Sequence, residues 1–556
     1  MAEKKNRFCS FSDGILLAAI LLIGGFHEYI SCALSVAMCV YLLVRLKKTG
    51  VLSVRKDLVG LAIAAVCFGY GATCLWAVDR GMAFIGFLKF LPAVLYLLCL
   101  WQESEGKALD ILPYFGGALA LVCGICMQIP GLDRYFSVAN RLAGVFQYPN
   151  TFALFLLVCQ LLLLEKWHNR IWDYLTVAVL VAALLYTGSR TVFVLFLISN
   201  AGMLLLRFPK KGKGIFLAIL ATAFVLGIVL LLSGNAIVQR FLSISLKEST
   251  FVGRILYFRD ALPLLLKYSF GMGYFGYYFM QSSIQTGVYS VAYIHNDFLQ
   301  FFLDVGWAPA GFLLFALARW FFRKNICPTR KLIVGVVCLH SLFDFNLQFA
   351  GILLLLISLT DSGENIALWK LKSKAFGKGG FAVLAAVSLY MGTALALAHW
   401  GNHETADKLY PYNTQNMLSM LEQTEDLERA NTLADRILKQ NTHHYAAYSV
   451  KAKASYAAGD FGSLIQYKNL VFEKNPFHHE EYEEYCRMLC NGIRLYSEIG
   501  DLSSVAYCKQ ELVRTQQLLA SNKDRLSKLG AAIADQPVTE LSEEMQKFII
   551  SLNAGQ

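Results

Sequence analysis

"LVGLAIAAVCFGYGATCLWAVDRGMAFIGFLKFLPAVLYLLCLW", residues Leu58 to Trp101, decides the fold class. It holds two apolar blocks, 58–78 and 82–101, each long enough to cross a hydrocarbon layer of about 30 Å as a helix. Blocks of this kind recur along the chain. Of 556 residues, 56% are hydrophobic and 16% charged, with a mean hydropathy of +0.49, which is too apolar for a soluble enzyme of this length. The expected fold is all-α: a polytopic transmembrane helix bundle of 12–13 spans followed by a helical C-terminal domain.

Spans are expected near 11–26, 29–46, 58–78, 82–101, 109–128, 150–165, 171–187, 190–206, 214–233, 297–320, 331–343, 348–360 and 380–400. Two stretches, 11–46 and 331–360, each read either as one overlong helix or as two. The cationic segments choose between these. "KKNR", "RLKK" with "RK", "EKWHNR", "RFPKKGK", "RWFFRKNICPTRK" and "KLKSKAFGK" all fall on one side only if both stretches are split, as the positive-inside rule requires. The formal charge of +11 is therefore topological, and no nucleic-acid partner is inferred. The N-terminus is expected in the cytoplasm and everything after Gly401 on the outer face. Residues 1–400 then form the membrane domain, with a large external loop at 234–294, and residues 401–556 form an extracytoplasmic domain.

Most of the fourteen cysteines, such as Cys32, Cys67, Cys99, Cys123 and Cys126, lie inside apolar blocks and read as small buried hydrophobes. Nothing has metal-site spacing. The first apolar stretch runs directly into a second, so it reads as an anchor and not a cleaved signal. "GMGYFG" is formally G-x-G-x-x-G at Gly271–Gly276, but no strand precedes it and no βαβ pattern surrounds it, so the glycines read as turn formers. In the tail, Asn441 and Asn475 recur at the tetratricopeptide period, and "YAAGDF" and "SEIGDL" supply turns between helix pairs. His443, His444, His478 and His479 recur with the repeat and read as repeat ancestry in preference to metal ligands.

Polar groups that interrupt the apolar helices are few, and these are the candidates for chemistry. Arg190 in "YTGSRTVF" opens a span, Arg254 in "FVGRILYFRDAL" lies in the large loop, and Arg141 lies in the smaller loop before "GVFQYPNTFA". His295, Asn296 and Asp297 open "HNDFLQFFLDVG", and His340 and Asp344 interrupt 331–360. Each has a plainer reading. An arginine at a helix end can snorkel, Asn296 or Asp297 can cap a helix, and Lys89 is either a buried partner for a carboxylate or a snorkel.

The order TGSR, then GR in a large external loop with G-x-G, then HN before a helix with glycine after its second turn, resembles the O-antigen ligase family and its related polysaccharide polymerases. The core of the likeness is Thr187 to Gly306, and "FQYPNTFA" and the multi-span layout extend it over the first 400 residues. The resemblance implies a membrane glycosyltransferase of GT-C type in a bacterial cytoplasmic membrane. It would move a glycan from a polyprenyl diphosphate donor to a glycan or lipid acceptor hydroxyl at the outer face, with no cofactor and no metal. The absence of Asp-x-Asp agrees with that, since this carboxylate pair commonly holds a metal-bound nucleotide diphosphate. By the resemblance Arg190 and Arg254 would bind the diphosphate, because guanidinium forks match phosphate oxygens. His295 would take the acceptor proton or orient the acceptor, with Arg141, Asn296 and Asp344 in support. Membrane lipids surround the spans, and the helical tail offers a surface for a protein partner. A transporter of the same superfamily, or a non-catalytic scaffold for polysaccharide assembly, are the competing readings.

Overall fold

The computed structural model describes residues 10–103, 107–207, 225, 249–361, 368–372 and 375–554. The span expected at 214–233 and the start of the loop at 234–294 lie outside them. Among the described residues the chain is all-α apart from two small antiparallel ribbons, and it forms two compact units. One comprises Met1–Thr73, Ala83–Ser245 and His295–Trp400; the other comprises Cys74–Met82, Leu246–Ile294 and Gly401–Gln556.

Among the described residues, helices Glu28–Thr49, Arg80–Leu100 (of the first unit from Ala83 on), Ala108–Cys126, Arg190–Arg207 and Gly377–His399 are long and apolar enough to cross a membrane; six shorter apolar helices accompany them. Helix Pro149–Glu165 is the centre. Nearly every residue from Thr151 to Leu164 is buried, as expected of a helix that is apolar all round. Helices Ala108–Cys126, Ile171–Tyr186, Arg190–Arg207 and Pro328–Ser341 pack around it. At the closest approach, a Cβ on Gly116 would meet the Cys159 sulfur at 2.6 Å.

Both ambiguous stretches are broken. Helix Phe11–Leu21 gives way to a turn with Gly24 at φ 63° and Gly25 at φ 71°, and helix Glu28–Thr49 starts after it. Helix Pro328–Ser341 ends before a short 3-10 turn at Asn346–Gln348, and helix Ala350–Thr360 comes next. The expectation at 297–320 needs correction, because this stretch is two helices, Asp297–Val305 and Trp307–Phe321, divided at Gly306 with φ 84° and ψ −178°. That backbone conformation is essentially restricted to glycine. The first of the two carries a buried polar face: Asp297, Gln300 and Asp304 are all buried, and Asp304 accepts a hydrogen bond from the Tyr70 hydroxyl at 2.7 Å.

The ribbons also bear on topology. Val51–Arg55 pairs with Leu368–Lys372, from Val51 opposite Lys372 to Arg55 opposite Leu368. Arg55, from one basic segment, and Lys370 and Lys372, from another, thus lie on one ribbon. Arg330 likewise reaches Glu165 at 3.1 Å, joining two other basic loops. Lys89 is a buried partner and not a snorkel: its Nζ donates to the Phe26 carbonyl at 2.7 Å and to Glu28 at 3.3 Å.

In the second unit, helices Leu427–Gln440, Tyr445–Ala457, Phe461–Lys474, His479–Glu498 and Leu502–Ser521 pack as successive neighbours. The punctuation read from sequence marks their ends. Asn441 and Asn475 are both C-caps, and Gly459 (φ 72°) and Gly500 (φ 75°) take the left-handed conformation that ends a helix. Asp260, on helix Ser249–Lys267, accepts from Thr286 Oγ1 at 2.7 Å and from Tyr289 at 3.1 Å, and Thr286 also meets Ser527 at 3.0 Å. Residues 249–294 and the tail are therefore one packed body. Residues 74–82 belong to it as well, through Val78 N–H to the Met272 carbonyl at 3.0 Å.

Candidate active site

Asp344 sits in the break between helices Pro328–Ser341 and Ala350–Thr360, with its side chain 1% exposed. A carboxylate so placed needs donors around it, and four are supplied by three segments of the first unit. The Tyr148 hydroxyl donates to Oδ1 at 2.8 Å, Asn150 Nδ2 to Oδ2 at 2.8 Å, and the Phe345 amide to Oδ1 at 3.0 Å. The fourth is the imidazole of His295, whose Nδ1 lies 3.2 Å from Oδ1.

The imidazole is aimed by unusual backbone. His295 has φ 56°, a left-handed conformation that costs a non-glycine residue of order 1–3 kcal/mol and clusters at functional sites. Asn296 fixes the next turn of chain: its Oδ1 accepts from the Leu299 amide at 3.0 Å and caps helix Asp297–Val305. The plainer of its two readings is thus its observed role. Asp297 Oδ2 accepts from the Leu347 amide at 2.9 Å, tying this helix start to the break that holds Asp344. Phe345 packs edge-on against the His295 ring, with centroids 5.0 Å apart.

From Asn150 the network runs on to a cation. Arg141 Nη2 donates to Asn150 Oδ1 at 2.7 Å, and its Nε donates to the Thr187 carbonyl at 2.7 Å. Thr187 belongs to the TGSR turn, whose last residue, Arg190, opens helix Arg190–Arg207 and is half-buried. Arg141, Asn150, Asp344 and His295 are therefore one continuous chain of hydrogen bonds, and Arg190 stands three residues from the point where that chain meets the turn. Arg254 lies on helix Ser249–Lys267 of the second unit.

Sequence reasoning named His295, Asp344, Arg141 and Arg190 but gave no role to Tyr148 or Asn150. Both lie in the quoted "FQYPNTFA", and the available signal was polar residues at the mouth of an otherwise wholly apolar helix. His340 is structural: its Nδ1 accepts from Asn346 Nδ2 at 2.8 Å deep in the bundle. The tail histidines do separate jobs, His444 against Phe279 and His479 with its Nε2 at the Glu540 carbonyl (2.9 Å). Gly271 and Gly273 take positive φ in a turn.

No curated protein and no solved structure matches this chain. Residues 175–316 match the family model described as O-antigen ligase, a span that takes in Arg190, Arg254, His295 and Asn296 and leaves Arg141 and Asp344 outside. Over residues 175–316, therefore, this chain is similar to the O-antigen ligase family.

Proposed function

We propose that this protein transfers a glycan from a polyprenyl diphosphate carrier to an acceptor hydroxyl at the outer face of the cytoplasmic membrane. The observation that carries the reading is the pairing of His295 with the buried Asp344, joined through Asn150 to Arg141. With Nδ1–H donated to the carboxylate, Nε2 is the basic nitrogen of the imidazole. The acceptor oxygen attacks the anomeric carbon, its proton passes to Nε2, and the bond from that carbon to the diphosphate oxygen breaks. The electron pair leaves with the diphosphate, whose added charge needs preorganised cations. Arg190 and Arg254 take that role by the family likeness. Arg141, already spent on Asn150 and Thr187, holds the turn that presents Arg190. Ligase and polymerase differ in the acceptor alone, a lipid core or a growing polysaccharide. The tail, read as tetratricopeptide-like, presents helices to a partner of the assembly machinery.

The test is transfer by purified protein from a lipid-linked glycan. His295→Ala and Arg254→Ala should each lower turnover by about 10²–10⁴-fold, the usual worth of a positioned acid–base or transition-state group; near-parental rates in both would overturn the assignment. One feature favours a second reading. Helix breaks at Gly24–Gly25 and at Asn346–Gln348 meet through Phe26 and Phe349, whose ring centroids lie 4.6 Å apart, and paired breaks are a device of transporters. Uptake of lipid-linked glycan into proteoliposomes without any new glycosidic bond would support that alternative.

A further inference from the structure

The second unit holds a cluster of cations that the transfer reaction does not use. A cleft of about 720 Å³ is lined by Arg80, Gly81, Tyr412, Arg436, Lys439 and Gln440 among others, and no carboxylate is part of its wall. The wall is rigid. Asp79, buried beside Arg80, accepts from Thr414 Oγ1 at 2.5 Å, from Asn441 at 3.3 Å and from the Met82 amide at 3.0 Å. The Tyr410 hydroxyl donates to the Gly81 carbonyl at 2.9 Å, and a Cβ on Gly81 would overlap the Tyr412 carbonyl oxygen. Arg436 is locked by two bonds to Asp407, at 2.9 and 2.7 Å, which leaves that guanidinium matched. Arg80 and Lys439 are exposed, and neither forms an ion pair among the described residues. The cleft thus carries two uncompensated positive charges on a fixed frame, and its natural ligand is an anion.

The surroundings identify which kind. Arg80 is the first residue of Arg80–Leu100, a helix long and apolar enough to span a bilayer, so its guanidinium stands at headgroup depth. Immediately before it, Leu75 is 72% and Trp76 45% exposed; the Trp76 indole donates to the Phe270 carbonyl at 3.2 Å and packs edge-on against Phe270, itself 76% exposed. Exposed apolar side chains followed within a few residues by a cationic cleft reproduce the tail-to-head order of an anionic lipid. Gln440 adds a buried Oε1 with no hydrogen-bond partner among the described residues, an acceptor for a headgroup hydroxyl. We propose that this cleft binds the phosphate of a membrane amphiphile, with Arg80 and Lys439 on its oxygens. The site is independent of the transferase reading.

Native mass spectrometry of the full chain in neutral detergent tests it, with phosphatidylglycerol, polyprenyl phosphate and phosphate-free diacylglycerol as probes and inorganic phosphate as competitor. One phosphorylated amphiphile should be retained, and whichever of the two is held more tightly names the source. Diacylglycerol should not be retained. Arg80→Gln with Lys439→Gln should weaken retention by about tenfold or more, as loss of charge-assisted bonds predicts, at an unchanged thermal midpoint. Arg80→Lys on the Lys439→Gln background should restore part of it. Arg429→Gln, which removes an arginine of the same unit that is ion-paired with Glu404, should change nothing. The proposal fails if the double variant retains lipid as the parent does, if inorganic phosphate binds as tightly as the lipids, or if an acidic oligosaccharide binds where phosphates do not. His295→Ala should leave retention at the parental level, so the two proposals fail separately.

Discussion

Asp344 gathers a hydroxyl, a carboxamide, a backbone amide and an imidazole around two oxygens, so exchanging one oxygen for an amide group disturbs all of them together. Asp344→Asn would present an N–H to a neighbour that itself donates, and would release the imidazole from the tautomer that makes Nε2 basic. The expected result is a fall in turnover of about 10²–10⁴-fold, measured by the same transfer assay. His295 and Asp344 were both legible in sequence, because an ionisable group inside an apolar stretch is expensive and rarely idle. Their pairing was not, since 49 residues separate them and neither segment carries the other's address. Tyr148 and Asn150 were passed over for a different reason. At a helix start an asparagine reads as a cap, and only the fold turns its amide toward Asp344.

Helix breaks position these side chains, and hydropathy cannot see a break that leaves the apolar run intact. Gly306 is the example: the residues on either side are apolar, so 297–320 reads as one span, yet φ 84° with ψ −178° ends the first helix and starts another. The breaks near His27 and Asp344 were legible, because the charge of the flanking loops demanded them. No loop charge depends on Gly306. Gly306→Ala should lower stability by about 1–3 kcal/mol, read as a lower thermal midpoint in detergent. Gly311→Ala, where an added Cβ has nothing within 4 Å, should be neutral or slightly stabilising by helix propensity. Equal effects of the two would show that the backbone at 306 is not strained by a side chain.

Across the whole molecule, the all-α class and the change of character near Gly401 could be read from composition. The recruitment of residues 74–82 and 246–294 into the body of the tail could not, because packing of this kind depends on pairs such as Asp79 with Thr414 and Asp260 with Thr286 that no local pattern announces. This unit should also be sensitive to acid. Burial holds His444 down to about 4, against an ordinary value of about 6.5. The fold therefore favours the neutral ring; its contribution is complete above about pH 6.5 and is lost as pH falls toward 4. Between pH 7 and 5 the parent should lose on the order of 1–2 kcal/mol relative to His444→Gln, measured as the difference in thermal midpoints across that range.

The enclosed helix Pro149–Glu165 has a bearing on biogenesis. Some of its wrapping, helices Ala108–Cys126 and Ile171–Tyr186, comes from chain made just before and just after it, but Pro328–Ser341 also lies against it. While the ribosome is still translating the middle of the protein, this fully enclosed segment has one flank open. Closing that flank brings in the stretch that ends just short of Asp344, so the contact between His295 and Asp344 forms only after the chain beyond the helix has been made.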